Sequence, residues 1–327
     1  MDKEFKRRSE AVLRAISILA KAEPSVVFVG GSAIQAMLDK PKRLSIDLDL
    51  AYRGDPKNLT SILSEKGYEI EERKAHDPMF VFYSATKDDT MIKLDIVRLS
   101  IPETEAMKIN GVSVKRPKSC YFMASKLAAL AFGTVGRRDE QKFQVIKDIY
   151  DIDCLLGSSA DIGNIGTDWA RVVGDEGEIR KRNYSPDECL TSAEKTLLRC
   201  LDATGSPSAY ITPNDLRDFG SVLLEGKLNR YDFPVMAARV MLLAAHMEKG
   251  FYKIDETALT ESKSKEKLDE AERILKSKQV LPVTQIDALK LTAPRALMYL
   301  KYWYQKRRGD QPMLSTTPGI GVNPRFS

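Results

Sequence analysis

Two histidines and four cysteines are all that 327 residues offer toward a structural zinc site. Cys120, Cys154, Cys189 and Cys200 are scattered without a Cys-x-x-Cys pair, so the spacing of a structural zinc site is missing. They read as free, mostly buried thiols of a reducing compartment. His76 lies in a polar turn beside Asp77-Pro78 and His246 in the apolar run Val240-Met-Leu-Leu-Ala-Ala, and neither is placed for acid–base work. Long apolar runs are also missing: none approaches the ~18 residues that span a bilayer. The N-terminus, Met1-Asp-Lys-Glu-Phe-Lys-Arg-Arg, is too charged for the apolar region of a secretory signal. The expectation is a soluble, cytoplasmic protein without an internal repeat. Charge of one sign is not in excess either, with 51 basic against 46 acidic residues and a net charge of +5. Such a surface permits a nucleic-acid partner without requiring one.

What the chain does contain begins at Ser25-Val-Val-Phe-Val-Gly-Gly-Ser-Ala-Ile-Gln. A short apolar strand, two glycines and the start of a helix make a phosphate seat. The helix N-terminus presents unpaired N–H groups, and glycine lets an anion approach the main chain. Gly30, Gly31 and Ser32 are the candidates. Next comes Arg43-Leu-Ser-Ile-Asp-Leu-Asp-Leu, in which period-2 alternation turns Asp47 and Asp49 to one strand face and Ile46, Leu48 and Leu50 to the other. Paired carboxylates repel unless a cation lies between them, and hard divalent ions such as Mg²⁺ or Mn²⁺ fill that role. A solvated acidic strand face is the plainer reading of Asp-x-Asp alone.

A helix over residues 4–22, a helix over 55–66, and strands over 68–73, 80–85 and 91–99 follow from hydrophobic periodicity. The last strand holds Ile92-Lys-Leu-Asp-Ile-Val. A lone charge in an apolar strand must be paired, protonated or metal-bound. Asp95 therefore either pairs with Lys93 or completes a triad with Asp47 and Asp49. Asn110-Gly111 reads as a turn between short edge strands. The period then becomes helical: a helix from Ser119 broken at Gly133, and another over 139–156. Lys126 sits among apolar neighbours, while Asp148 and Asp151 share a face three residues apart. An interhelical ion pair and a contact to a triphosphate are both open to Lys126.

Taken in order, the Gly-Gly-Ser segment, Asp-x-Asp, Ile92-Lys-Leu-Asp-Ile, Lys126-Leu-Ala-Ala-Leu and Lys147-Asp-Ile-Tyr-Asp-Ile resemble the AbiEii/AbiGii toxin family of nucleotidyltransferases, within the DNA polymerase β-like superfamily. The resemblance covers roughly residues 25–156. It implies an α+β nucleotidyltransferase fold, a mixed β-sheet flanked by helices, with a mostly helical domain after it. It also implies transfer of a nucleoside monophosphate from an NTP to an acceptor hydroxyl, using two divalent ions about 4 Å apart. Asp47, Asp49 and Asp95 would hold the metal and Lys126 the triphosphate, with Gly30, Gly31, Ser32, Asp148, Asp151 and Arg138 at the nucleotide. The family's arginine after the Lys helix is replaced here by Gly133-Thr-Val-Gly, with Arg137 and Arg138 following later. Ser32 to Asp47 is also a longer step than the usual motif, through Pro41 and Lys42. Relatives are toxins of toxin–antitoxin or phage-defence pairs, and some modify the acceptor end of tRNA. A cognate antitoxin and an RNA acceptor are the implied partners, with no membrane involved.

The expected organisation is a nucleotidyltransferase domain over 1–156, a Gly/Ser/Asn-rich connection over 157–186, a helical domain over 187–312 and a tail over 313–327. Helices are expected at 187–203, 213–226, 234–249, 255–278 and 282–308. The last of these combines Trp303, Arg307 and Arg308 with tyrosines and no acid from Arg295 to Arg308. That composition suits single-stranded RNA, and it equally suits aromatic packing under a basic helix end. Two other functions remain open from the sequence: an inactive binding module of the same fold, and an NMP transferase acting on a small molecule or a protein.

Overall fold

The computed structural model describes residues 3–74, 78–101, 103–137, 141–158, 161–202, 205–206, 209–247 and 251–307. His76, Arg138, Arg308 and the expected tail lie outside them. The first half runs α1 (Lys3–Ala22), β1 (Val27–Val29), α2 (Gly30–Met37), β2 (Asp47–Ala51), α3 (Pro56–Ser64), β3 (Glu69–Arg73), β4 (Phe80–Lys87), β5 (Thr90–Val97), β6 (Thr104–Ile109) and β7 (Val112–Pro117). The rest is helical: α4 (Ser119–Ala129), α5 (Lys142–Gly157), α6 (Ile165–Arg180), α7 (Pro186–Arg199), α8 (Pro213–Gly220), α9 (Asp232–Ala245), α10 (Phe251–Glu261), α11 (Lys265–Ser277), α12 (Val283–Thr292) and α13 (Pro294–Arg307). A mixed sheet flanked by helices, followed by a mostly helical region, is the architecture that the family resemblance implies.

The sheet order is β3-β4-β5-β2-β1-β7-β6. β2 runs parallel to β5 and antiparallel to β1. One face carries Phe28, Leu48, Leu50, Leu94 and Ile96, all fully buried. α1 packs there through Val12, Ile16 and Leu19, whose three- and four-residue spacing makes a single apolar stripe. On the other face lie Asp47, Asp49, Lys93 and Asp95, and at its far end a small apolar patch of Val27, Ala51 and Ile101, packed with Val97 and Tyr121. That second face is the one left partly open.

Several boundaries differ from expectation, each for a local reason. The stretch over 157–186 holds α6, whose Ile165, Trp169, Val172 and Val173 are buried; its glycines sit within and beside a packed helix. The helix expected over 213–226 stops at Gly220. The single helix expected over 255–278 is two, because Ser264 caps a new N-terminus by accepting from the Lys267 N–H. The helix expected over 282–308 is also two, since Pro294 cannot donate to a continuing ladder and stands instead at a first helical position. Ahead of β2, Arg43 forms an antiparallel bridge with Leu223. It is closed by Leu44 N–H donating to Val222 O at 2.8 Å and Leu224 N–H donating to Lys42 O at 3.0 Å. The four cysteines are free thiols.

Candidate active site

Gly30 follows β1 directly and opens α2 with φ +73, a conformation glycine adopts without steric cost. Its backbone lies against Asp49: a Cβ at residue 30 would fall 1.9 Å from Asp49 Oδ2. The register places Asp49 beside Val29 on one side and Asp95 on the other, with Asp47 two residues back on the same face. Burial and the charges of Asp47 and Asp95 push the Asp49 carboxyl up to about 6, against the pull of Lys147 and Lys126. Burial also raises Asp95, offset by Arg73.

Asp95 pairs with Arg73 from the end of β3, not with Lys93. The Arg73 guanidinium also lies 5.4 Å from the centroid of the Phe82 ring. Among the described residues, no three His, Cys, Asp or Glu side chains form a group that could hold a metal. The donor chemistry nevertheless suits a hard divalent cation: carboxylate oxygens on one face of two adjacent strands, close enough for Asp47 and Asp95 to raise the proton affinity of Asp49.

Ser32 sits elsewhere than its candidate role requires. It is 4% exposed, and its hydroxyl donates to the Asp47 carbonyl at 2.6 Å. It ties α2 to β2, and its proton is already engaged. Gly31 faces a cluster of cations. A Cβ there would lie 2.5 Å from Arg43 Nη2 and 3.3 Å from Lys147 Cε.

Behind Gly31, α5 presents Asp148 and Asp151, both fully buried. Arg43 grips Asp151 with Nη2 at 2.6 Å and Nε at 2.8 Å. Lys126 lies 2.9 Å from Asp148 and 3.4 Å from Asp151. Arg137 also pairs with Asp148. Gln35 accepts from the Arg43 N–H at 3.1 Å and donates to Asp151 at 3.3 Å. Burial alone would raise both carboxyls. Lys126 with Arg137 at Asp148, and Arg43 with Lys126 at Asp151, hold them below the usual carboxylate range instead. Lys126, Asp148 and Asp151 are thus brought together, with Arg137 as the arginine that joins them.

Lys147 opens the Lys147-Asp-Ile-Tyr-Asp-Ile element of the family resemblance, which assigns it no role of its own. Its amine has no hydrogen-bonding or ion-pairing partner among the described residues. Burial and the cations Arg43 and Lys126 lower its pKa, against Asp151 and Asp49. Arg43, Lys126, Arg137 and Lys147 gather around Asp148 and Asp151 beside the α2 N-terminus, with Asp49 acting on Lys147 and Lys126 from β2. Lys147 is the cation of this group without an ion-pairing partner among the described residues, which suits it to an anionic ligand. The sequence signal for Lys147 was its place four residues before Asp151 on the same helix face; Arg43 and Arg73 had none.

Of the residues proposed for RNA on α13, Trp303 is buried and Arg307, though exposed at the helix end, is held in an ion pair. Trp303 is 2% exposed, and its indole N–H donates to Glu194 at 2.8 Å. Arg307 Nη2 donates to the same carboxylate at 3.0 Å. A buried indole cannot stack on a base, so packing is the reading of this helix that the coordinates favour.

A mixed sheet bearing Asp-x-Asp next to a Gly-Gly turn at a helix N-terminus is the arrangement of a nucleotidyltransferase-like protein. The chain matches the family described as "Nucleotidyl transferase AbiEii toxin, Type IV TA system" over residues 11–196, and it belongs to that family. Among solved structures, an antigenic nucleotidyltransferase-like protein from Paracoccidioides brasiliensis is similar at 19% identity, covering 57% of this chain and 92% of that one with a TM-score of 0.36. A likeness that loose carries no functional weight. The curated proteins give no match. Among the described residues no helix is long and apolar enough to cross a membrane.

Proposed function

We propose that the protein transfers a nucleoside monophosphate from an NTP to an acceptor hydroxyl, as the toxin of a toxin–antitoxin pair, with RNA of tRNA type as the acceptor. The observation that carries this reading is the juxtaposition of Asp47, Asp49 and Asp95 on one sheet face with the cation-rich N-terminus of α2. A divalent ion, Mg²⁺ or Mn²⁺, held by Asp47 and Asp49 and by Asp95 released from Arg73, would neutralise the triphosphate and favour ionisation of the attacking hydroxyl. The backbone N–H groups of Gly30 and Gly31 and the Lys147 amine would hold the β- and γ-phosphates. Lys126, fixed by Asp148 and Asp151, would add charge behind them. The acceptor oxygen forms a bond to the α-phosphorus, the bond to the bridging oxygen breaks, and pyrophosphate leaves. The hydroxyl proton goes to Asp95. No side-chain nucleophile is needed, since positioning and charge supply the catalysis.

One observation favours a second reading, a non-catalytic binding module: Arg73 already neutralises Asp95. Incubation with each α-labelled NTP, Mg²⁺ or Mn²⁺, and either total RNA or protein extract separates the readings. Label in RNA that disappears with Asp49→Asn supports the proposal. Label in protein moves the acceptor to a protein hydroxyl, and no label with any NTP favours the binding module.

A further inference from the structure

A cleft of about 290 Å³ opens from Gly30, Asp49 and Asp95 and runs between the open sheet face and helices α4 and α6. We propose that it is a nucleobase pocket, selective for bases that carry an amino group, with Asp175 as the selecting residue. The inference rests on the nucleotidyltransferase reading, because the acids at its mouth would then stand at the reacting phosphate.

Its shape comes from alternation along the strands. Phe80 and Phe82 lie opposite Val97 and Asp95 in the register, which puts both rings on the carboxylate face. The two rings are stacked, nearly parallel at 11° with centroids 6.1 Å from each other, and with Arg73 over the Phe82 ring they line the sheet side of the cleft. Tyr121, Val172 and Ile179 form the facing wall. A cleft lined by aromatic and apolar side chains suits a planar heteroaromatic ring, since stacking tolerates any π-face. The volume lies near the ~300 Å³ lower limit of small-molecule pockets, enough for a base whose sugar and phosphates remain at the mouth.

Polarity sets the direction of the ligand. The cations gather on the Gly31 side, around Lys147 and Arg43, whereas α6 brings Asp175 and Glu176 to the cleft. Phosphate is attracted to the first end and repelled from the second. Glu176 is bonded to Arg180 at 3.2 Å, but Asp175 has no hydrogen-bonding or ion-pairing partner among the described residues. A carboxylate in an apolar-walled cleft seeks N–H donors. Cytosine, adenine and guanine offer an exocyclic amino group. Uracil offers one N–H flanked by two carbonyl oxygens, which a carboxylate repels. Leaving Asp175 without a donor is the penalty that discriminates.

The base could belong to the incoming NTP or to the end of the acceptor, and the test has one arm for each. Equilibrium binding of α,β-methylene analogues of ATP, GTP, CTP and UTP, with Mg²⁺, is measured on the full chain and on Asp175→Ala, Phe80→Ala and Asp49→Ala. Short single-stranded RNAs ending in each base form the second arm. The pocket is supported if, in either arm, uridine binds about tenfold more weakly than an amino-bearing base, Asp175→Ala erases that ratio, and Phe80→Ala weakens every base. The arm in which this occurs identifies the source of the base. If Asp49→Ala weakens Mg²⁺-dependent binding while Asp175→Ala and Phe80→Ala leave both arms unchanged, the pocket is refuted and the enzyme reading stands. Absence of binding in both arms overturns the two together.

Discussion

Gly30 and Asp49 share one volume: the carboxylate oxygen Oδ2 lies 1.9 Å from the place a Cβ on residue 30 would take. Residue 30 also has φ +73. Gly30→Ala therefore meets both backbone strain and a side chain that must move. Gly111, at φ +78 with nothing within 4 Å of its Cβ position, isolates the strain alone. Gly111→Ala is expected to lower unfolding stability by about 1 kcal/mol and to leave transfer unchanged. Gly30→Ala should lose about 1–3 kcal/mol and nearly all transfer. Urea midpoints and labelled-NTP assays on both variants check this.

Lys147→Met removes an unpaired cation beside Gly31. Transfer should fall about 10²-fold. The urea midpoint should hold or rise, because burial and the neighbouring cations Arg43 and Lys126 depress the pKa of this amine, so the fold gains nothing from its charge. A lowered midpoint with transfer intact would make Lys147 a structural residue.

Acid sensitivity should trace to Asp148 and Asp151. Burial opposes their ionisation, but their cationic partners hold both below the usual range. The unfolded chain therefore takes up protons first as pH falls. This stabilisation is complete above the unfolded value of ~3.9 and is lost progressively below it. Asp151→Asn leaves Arg43 buried with half its partner gone. The expected loss is about 3–5 kcal/mol near pH 7, with a shallower decline toward acid. Urea midpoints from about pH 7 down to about pH 3 give both numbers.

On α13, Trp303→Phe and Arg307→Ala each remove a donor from Glu194. Each should cost about 1–3 kcal/mol of stability and leave RNA affinity and its salt slope as they were. A reduced salt slope for Arg307→Ala would return this helix to the nucleic-acid surface.

The carboxylate face was legible because a strand has a period of two, so Asp47 and Asp49 declare a shared side without any knowledge of their neighbours. Their relation to Asp95 needed only that the Ile92-Lys-Leu-Asp strand lie next to them, as it does. Arg73 was not legible. It reaches Asp95 across β4, through two antiparallel registers that the local pattern does not encode. Ser32 and Trp303 illustrate a different limit. A hydroxyl after two glycines and an indole among basic residues both look available, until packing against the Asp47 carbonyl and Glu194 decides where their protons go. Pro294 was visible as a residue, but the helical period continued across it, and the missing donor divided what periodicity joined.

The bridge from Arg43 reaches Leu223, beyond the stretch matched to the family, which ends at residue 196. Its two backbone bonds splint the segment that leads into Asp47, and Arg43 carries the same splint inward to Asp151. The helical half is thus a brace for the carboxylates. A chain cut after residue 196 would keep every signature residue and lose the clasp that holds the lead-in to Asp47 in place.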